Sequence, residues 1–202
     1  MKLVHVETLI QVGEFASSRD WLNIRADVIR SIQKMVWPPG SDKFTIHPES
    51  GKKRREGNGV KPIKNGLMKM LVKHSWKTEV PLDIATVARP GKLDAVLKTK
   101  HGPVALEWET GNISSSHRAL NKMALGLTKG VLAGGMLVVP TREFYRFLTD
   151  RVGNWSELEP YLDLWKAIPC RSGVLEILVV EHDATSTKVR RIPKGTSGRA
   201  LE

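Results

Sequence analysis

Segments with the period of a helix alternate with segments patterned as strands along the 202 residues of this chain. That alternation predicts an α/β fold, a central mixed β-sheet flanked by helices on both faces. Three observations carry the prediction. Trp21, Ile24, Val28, Ile32 and Met35 recur at steps of three and four, which draws one apolar stripe along a helix. Residues 131–139 and 174–180 are apolar almost throughout, as strands covered on both faces must be. Residues 104–109 alternate instead, with Val104, Leu106 and Trp108 against Ala105, Glu107 and Glu109. One face of that strand is therefore apolar, and the other carries two carboxylates about 7 Å apart along the backbone.

The length suits one sizeable core and falls short of two, so we expect a single domain over 1–202. With 41% hydrophobic and 26% charged residues the chain is excluded from the disordered and fibrous classes. It has no apolar run of the roughly 18 residues a membrane span needs, and residues 1–5 lack a signal-peptide core, so we expect an intracellular protein with no membrane partner. Cys170 is the single cysteine and reads as a small core residue. A formal charge of +11 favours a polyanionic partner, although charge alone does not identify one.

Taken in order, the chain starts with a short apolar piece at 9–12, then Gly13 and Ser17-Ser18 precede the first helix, which Pro38-Pro39-Gly40 stops beyond Trp37. Residues 41–66 read as a long basic loop, centred on Lys52-Lys53-Arg54-Arg55 with Lys61 and Lys64 after it, and suited to a phosphate backbone. A second helix sets Leu67, Met70, Leu71 and His74 on one face and ends near Lys77, with His74 packed or capping. Residues 79–84 lead into a loop with Pro90-Gly91, after which 93–97 alternate as a strand. Lys100-His101-Gly102-Pro103 signals a turn, and a hairpin centred on Lys100 and His101 sets Asp94 opposite Glu107. After the acid strand, Thr110-Gly111-Asn112 breaks the chain. Ser114, Ser115 and Ser116 then offer caps for a helix with Leu120, Met123, Ala124 and Leu127 on its apolar face. Pro140 ends the buried strand at 131–139, and Phe144, Tyr145, Phe147 and Leu148 suggest a helix that gives way at 150–153, where Asp150-Arg151 reads as a surface ion pair. A helix over 160–167 takes its apolar side from Leu162 and Trp165. The last strand, 174–180, is interrupted by Glu176, and a polar, basic tail follows from Asp183.

Asp94, Glu107 and Glu109 gather on two adjoining strands with no cluster of His or Cys beside them. Opposed like charges destabilise a ladder unless a cation lies between them, and all-oxygen ligation selects Mg²⁺ or Mn²⁺ over zinc. In a basic protein the economical use is metal-assisted hydrolysis of a phosphodiester. A serine nucleophile from 114–116 lacks a Gly-x-Ser-x-Gly elbow, and no glycine-rich phosphate loop is present.

Asp94, a spacer and then Glu107-x-Glu109 on the next strand resemble the core of the PD-(D/E)xK nucleases, with Glu109 where most members have Lys. Longer stretches are more specific. E-W-E-T-G-N-I-S-S-S-H-R-A-L-N-K from Glu107, L-T-D-R-V-G-N-W-S-E-L-E-P-Y from Leu148 and I-P-K-G from Ile192 resemble the BamHI family of type II restriction endonucleases. With N-G-V-K-P-I-K and P-L-D-I upstream, the similarity covers roughly 58–198.

The resemblance implies a restriction-endonuclease-like core and a homodimer that cuts double-stranded DNA at the palindrome GGATCC with Mg²⁺, Mn²⁺ being able to substitute. It also implies the cytoplasm of a prokaryotic cell that carries a cognate DNA methyltransferase. By motif position Glu79, Asp94, Glu107 and Glu109 would be the catalytic set. Asp94, Glu107 and Glu79 would hold metal, and Glu109 would position or deprotonate water. Asn112, Ser114, Arg118, Asp150 and Arg151 would read bases, and Lys64 would sit against the DNA backbone. Dimer helices would fall at 120–129 and 160–167, where Lys129 and Lys166 depart from the opposite charges expected there. Ser197-Gly198 departs from the family's Asp-Gly in the tail. A regulator that kept the fold without catalysis would be expected to lack an acid, yet all four are present. A nuclease of this fold with another DNA substrate is the remaining alternative.

Overall fold

The structure, a computed structural model, describes residues 1–51, 56–84, 91–149 and 152–194. A six-stranded mixed sheet forms its centre, in the order β1-β7-β6-β5-β4-β3, with helices on both faces as the sequence predicts. The chain enters through β1 (Lys2–Val12), an edge strand antiparallel to β7, followed by the short α1 (Glu14–Ser17) and by α2 (Arg19–Gln33). β1 is far longer than the apolar piece at 9–12 suggests, because an edge strand half open to water keeps charged residues among its apolar ones.

Ser18 caps α2, its hydroxyl accepting from Trp21 N at 3.1 Å, and Trp21, Ile24, Val28 and Ile32 are buried. The helix ends at Gln33, short of Trp37. Residues 41–66 are not all loop: β2 (Thr45–Ile46) pairs in parallel with β8 (Ala184–Thr185), and α3 (Val60–Val72) begins well inside the segment. Pro62 does not prevent that start, since first-turn N–H groups have no partner within a helix anyway. Lys61 and Lys64 therefore stand on a helix. His74 lies beyond the end of α3 with a half-exposed side chain, contrary to the packed or capping role expected for it. Residues 52–55 lie outside the described residues.

Three antiparallel strands follow, β3 (Lys77–Pro81), β4 (Lys92–Thr99) and β5 (Gly102–Trp108), then α4 (Ile113–Thr128) and β6 (Gly134–Pro140), parallel to β5. β3 begins at Lys77, the expected end of the helix, and takes in residues to which patterning assigns no strand; the loop expected at Pro90 falls outside the described residues. The 144–148 helix is reduced to α5 (Arg142–Tyr145) and a turn, with Phe144 and Leu148 buried. The helix expected over 160–167 is α6 (Trp155–Leu158), one 3-10 turn (Glu159–Tyr161) and α7 (Leu162–Lys166). β7 (Gly173–Glu181) closes the sheet without interruption. Glu176 is tolerated inside it because Arg25 of α2 reaches both carboxylate oxygens, at 2.9 and 3.0 Å.

The sheet separates two apolar clusters. Trp21, Val28, Ile32, Leu67 and Leu71 pack with Val104, Leu106 and Trp108 on one side. Leu120, Met123, Leu127 and Trp165 pack with Ala105, Leu137 and Ile177 on the other. Among the described residues no helix is long and apolar enough to cross a membrane.

Candidate active site

The register of β4 against its two neighbours decides the geometry of the acids. Ala95 pairs with Leu106 and Thr99 with Gly102, so the hairpin turns at Lys100 and His101 and Asp94 falls opposite Glu107, as the sequence suggests. On the other side Thr78 pairs with Ala95 and Val80 with Leu93, which brings Glu79 to the same rung. Three adjacent strands thus contribute three carboxylates at one level. The third, Glu79, lies where patterning alone assigns no strand.

The rung is held by crossed bonds. Asp94 N donates to Glu107 Oε2 at 3.2 Å, and Trp108 N donates to Asp94 Oδ2 at 2.9 Å. Lys64 of α3 donates its ammonium to Asp94 Oδ1 at 2.7 Å and lies 3.8 Å from Glu79 Oε1. Glu79 keeps an exposed side chain on a backbone with φ of +54°, a left-handed conformation that a residue with a Cβ adopts only when its surroundings impose it. Burial pushes the Glu107 carboxyl up to about 8, and neighbouring Asp94 adds to the shift.

Glu109 follows β5 directly, and its backbone N–H continues the pairing with β6 through Val138 O at 3.0 Å. Its buried carboxylate turns to the start of α4, accepting from Gly111 N at 2.5 Å and from the hydroxyl of fully buried Ser116. Burial raises its carboxyl above the ordinary value while those donors pull it down. The three serines do not cap the helix. Asn112 does, its Oδ1 accepting from Ser115 N at 3.3 Å, which leaves Ser116 to bind the acid.

Asp94, Glu107 and Glu109 line a cleft of about 690 Å³ together with Arg118 and Lys122 of α4. Lys122 is a component that sequence reasoning missed, although its place one turn after Arg118 on the same helix face was there to be read. Its ammonium donates to Gly91 O at 2.6 Å and Lys92 O at 3.3 Å, and burial lowers its pKa against the pull of Glu107. Asn112, Ser114 and Arg118 are exposed beside the cleft, the latter two one turn apart. Asp150 and Arg151 lie outside the described residues. Their described neighbours are anchored, Thr149 N on Asn58 O and Gly153 N on Gly111 O, each at 2.9 Å.

Among the described residues, no three His, Cys, Asp or Glu side chains stand close enough to enclose a metal in this arrangement. Lys64 occupies the rung, and Glu109 is turned to the helix. The donor set nevertheless fits a hard cation: it is all oxygen, and the Lys64 ammonium already stands in for one at Asp94 Oδ1.

The family model described as "Restriction endonuclease BamHI" matches residues 1–199. The chain belongs to the BamHI restriction endonuclease family. Membership makes it a type II site-specific deoxyribonuclease, a DNA-binding phosphodiester hydrolase. It is 46% identical over 201 residues to the type II restriction enzyme OkrAI of Oceanobacter kriegii, covering 100% of each chain. It is 35% identical over 179 residues to the type II restriction enzyme BamHI of Bacillus amyloliquefaciens, covering 85% of this chain and 80% of that enzyme. The crystal structure of restriction endonuclease BglII complexed with a DNA 16-mer superposes with a TM-score of 0.59 over 95% of this chain and 86% of that one. At 12% identity it shows the shared fold.

The raised carboxyls at the site of this BamHI-family chain, Glu107 above all, contribute to its stability a pH dependence of definite sign. A carboxyl raised in the folded state contributes stability that is complete below its unfolded pKa and is lost as pH rises through the folded value, here about 8 for Glu107. In chelator and without DNA, the thermal midpoint of the wild type should fall between about pH 5 and pH 9, and Glu107→Gln should flatten that fall. Parallel curves for the two proteins would place the titration at another group.

Proposed function

We propose that the chain is a homodimer that cuts double-stranded DNA at GGATCC with Mg²⁺, Mn²⁺ substituting, in the cytoplasm of a prokaryotic cell that also carries the cognate methyltransferase. The observation that carries the reading is the row of Glu79, Asp94 and Glu107 across three strands, of which Asp94 and Glu107 line a cleft whose other wall is the helix bearing Arg118. Asp94 and Glu107, with Glu79, would hold the ion, which when bound neutralises charge building at phosphorus and acidifies the attacking water. Glu109, one residue beyond Trp108, orients that water or accepts its proton. The new bond joins water oxygen to phosphorus and the broken one releases a sugar oxygen, which takes up a proton.

Arg118 offers the side chain best matched to guanine O6 and N7, and Asn112 and Ser114 present polar atoms from the same exposed turn. Asp150 and Arg151 complete the reading set, and Lys64 sits against the DNA backbone. The two-fold symmetry of the site calls for a two-fold dimer. The apolar residues available for it differ from those the sequence suggests. Leu120 is spent on the chain's own core, while Leu125, Tyr161 and Leu164 remain 38%, 50% and 65% exposed on the same two helical regions. Lys166 is engaged by Glu7 at 2.7 Å and Lys129 by Ile84 O at 2.9 Å, so each of these two unexpected charges has a partner within its own chain.

Digestion of a plasmid of known sequence should give ends at GGATCC with Mg²⁺, and excess chelator should abolish cutting. Asp94→Asn should lose at least about a thousandfold in rate while keeping affinity for DNA in Ca²⁺, since it removes a ligand and a negative charge together. Cutting in chelator, or ends at unrelated sequences, would refute this assignment.

In competition binding with Ca²⁺, Arg118→Ala should lose about 1–3 kcal/mol per half-site against GGATCC and little against a duplex altered at the contacted guanine. Equal loss on every duplex would make Arg118 a backbone contact.

The dimer is open to sedimentation equilibrium. Wild type should run as two chains, and Leu164→Glu should weaken association by about tenfold or more, since it buries a charge in an apolar contact. A wild-type monomer, free and on DNA, would be decisive against it.

A further inference from the structure

The rung of acids already has a cation, and that cation is part of the protein. Lys64 Nζ lies 2.7 Å from Asp94 Oδ1 and 3.8 Å from Glu79 Oε1, and both the lysine and Asp94 side chains are 14% exposed. The contact is therefore sheltered from water, unlike an exposed ion pair, whose worth is slight. Each oxygen of Asp94 has a partner, Oδ2 taking Trp108 N and Oδ1 taking the ammonium. A divalent ion ligated by Asp94 Oδ1 would compete for the same lone pairs and would meet a positive charge within a few ångströms. Asp94 Oδ1 cannot serve both at full strength.

Lys64 has a freedom that the two bonded acids, Asp94 and Glu107, lack. The backbones of Asp94, Glu107 and Glu79 are fixed by the register of three paired strands, and backbone N–H groups hold the carboxylates of Asp94 and Glu107. Lys64 reaches them on a flexible four-carbon stem from the second turn of α3. On the reading above, which sets Lys64 against the DNA backbone, its other anion is a phosphate of the bound duplex. We propose that Lys64 is the resident counter-cation of the acid rung in the free enzyme, and that its transfer to a DNA phosphate vacates the rung for metal. DNA binding and metal binding are then positively coupled. Because coupling free energy is reciprocal, metal tightens DNA by the factor by which DNA tightens metal. The free enzyme keeps its acids neutralised without a bound metal, and a competent site is assembled only on DNA. This inference rests on the metal-holding role proposed above for Asp94 and Glu79.

The test is calorimetric titration of the full chain with Ca²⁺, which requires no cleavage, with and without a GGATCC duplex. Lys64→Met and Lys64→Gln remove the ammonium by two different side chains, so that a folding defect in one does not decide the matter, and Lys64→Arg keeps the charge. Without DNA, both neutral variants should bind Ca²⁺ about tenfold or more tighter than wild type, and Lys64→Arg should not. On DNA the gap should close to about twofold, because the wild-type lysine has left the rung. Equal Ca²⁺ affinity of free wild type and neutral variants would overturn the inference and leave the metal reading standing. A gap equally wide on DNA would overturn the transfer to phosphate. Absence of Ca²⁺ binding in every protein, with and without DNA, would overturn the inference and the metal reading together.

Discussion

Three carboxylates at one level of three neighbouring strands repel one another, and the rest of this structure can be read as what keeps them there. Like charges opposed across a ladder oppose the pairing that sets them side by side. That pairing must therefore be stabilised elsewhere. The support is the parallel part of the sheet, where β5, β6 and β7 are buried on both faces and Glu107 pairs in register with Leu137, itself in register with Ile177. The acids sit at the outer, antiparallel end, where β3 is an edge and a cleft can open. A rung of this kind in mid-sheet would have no solvent and no room for a substrate.

A second constraint joins the acid strand to the helix that follows it. Glu109 binds Gly111 N and Ser116, and Gly153 packs so close to that serine that a Cβ on it would come within 2.3 Å of the hydroxyl oxygen. The start of α4 is thus indexed to the end of β5 through a carboxylate. On the far side of residues 150–151, Asn58 performs a similar function. Wholly buried, it donates to His47 O and Phe147 O and accepts from Ile192 N, tying three distant segments beside the start of α3. Buried polar groups bonded this completely fix one arrangement of the chain among many that an apolar core would tolerate.

Much of this was legible in the residues. The class of fold followed from periodicity, because stripes at 3.6 and alternation at 2 report directly which faces are buried. The facing of Asp94 and Glu107 followed from a two-residue turn, since register in a hairpin is set by its loop. Among the strands of the six-stranded sheet, edge elements were the ones misread. β1 and β3 have one side open to water, so charges interrupt their apolar pattern and the strand signal fades. Glu79 reached the acids by motif alone, because the pairing of β3 with β4 closes over a loop whose length gives no register. The contacts of Lys64 and Ser116 with the acids were hidden for another reason. The local pattern reads Lys64 as part of a basic loop and Ser116 as a cap, and the partner of each lies 30 or 7 residues away in sequence.

The presence of Glu at 109, where most PD-(D/E)xK nucleases have Lys, becomes intelligible at this junction. Two donors, Gly111 N–H and the Ser116 hydroxyl, converge on the side chain. A lysine there would bring only further donors, and each buried group left without an acceptor costs about 1–3 kcal/mol. Residue 109 must accept hydrogen bonds for α4 to start where it does, so a positive charge near the acids has to come from another element. Lys64 supplies it from α3 and Lys122 from α4, each by way of a long side chain from a helix that packs on the sheet. In this arrangement the charge that faces the acids is mobile, whereas a lysine on the acid strand itself would be fixed. The ammonium can answer to DNA because the strand has given its place to an acceptor.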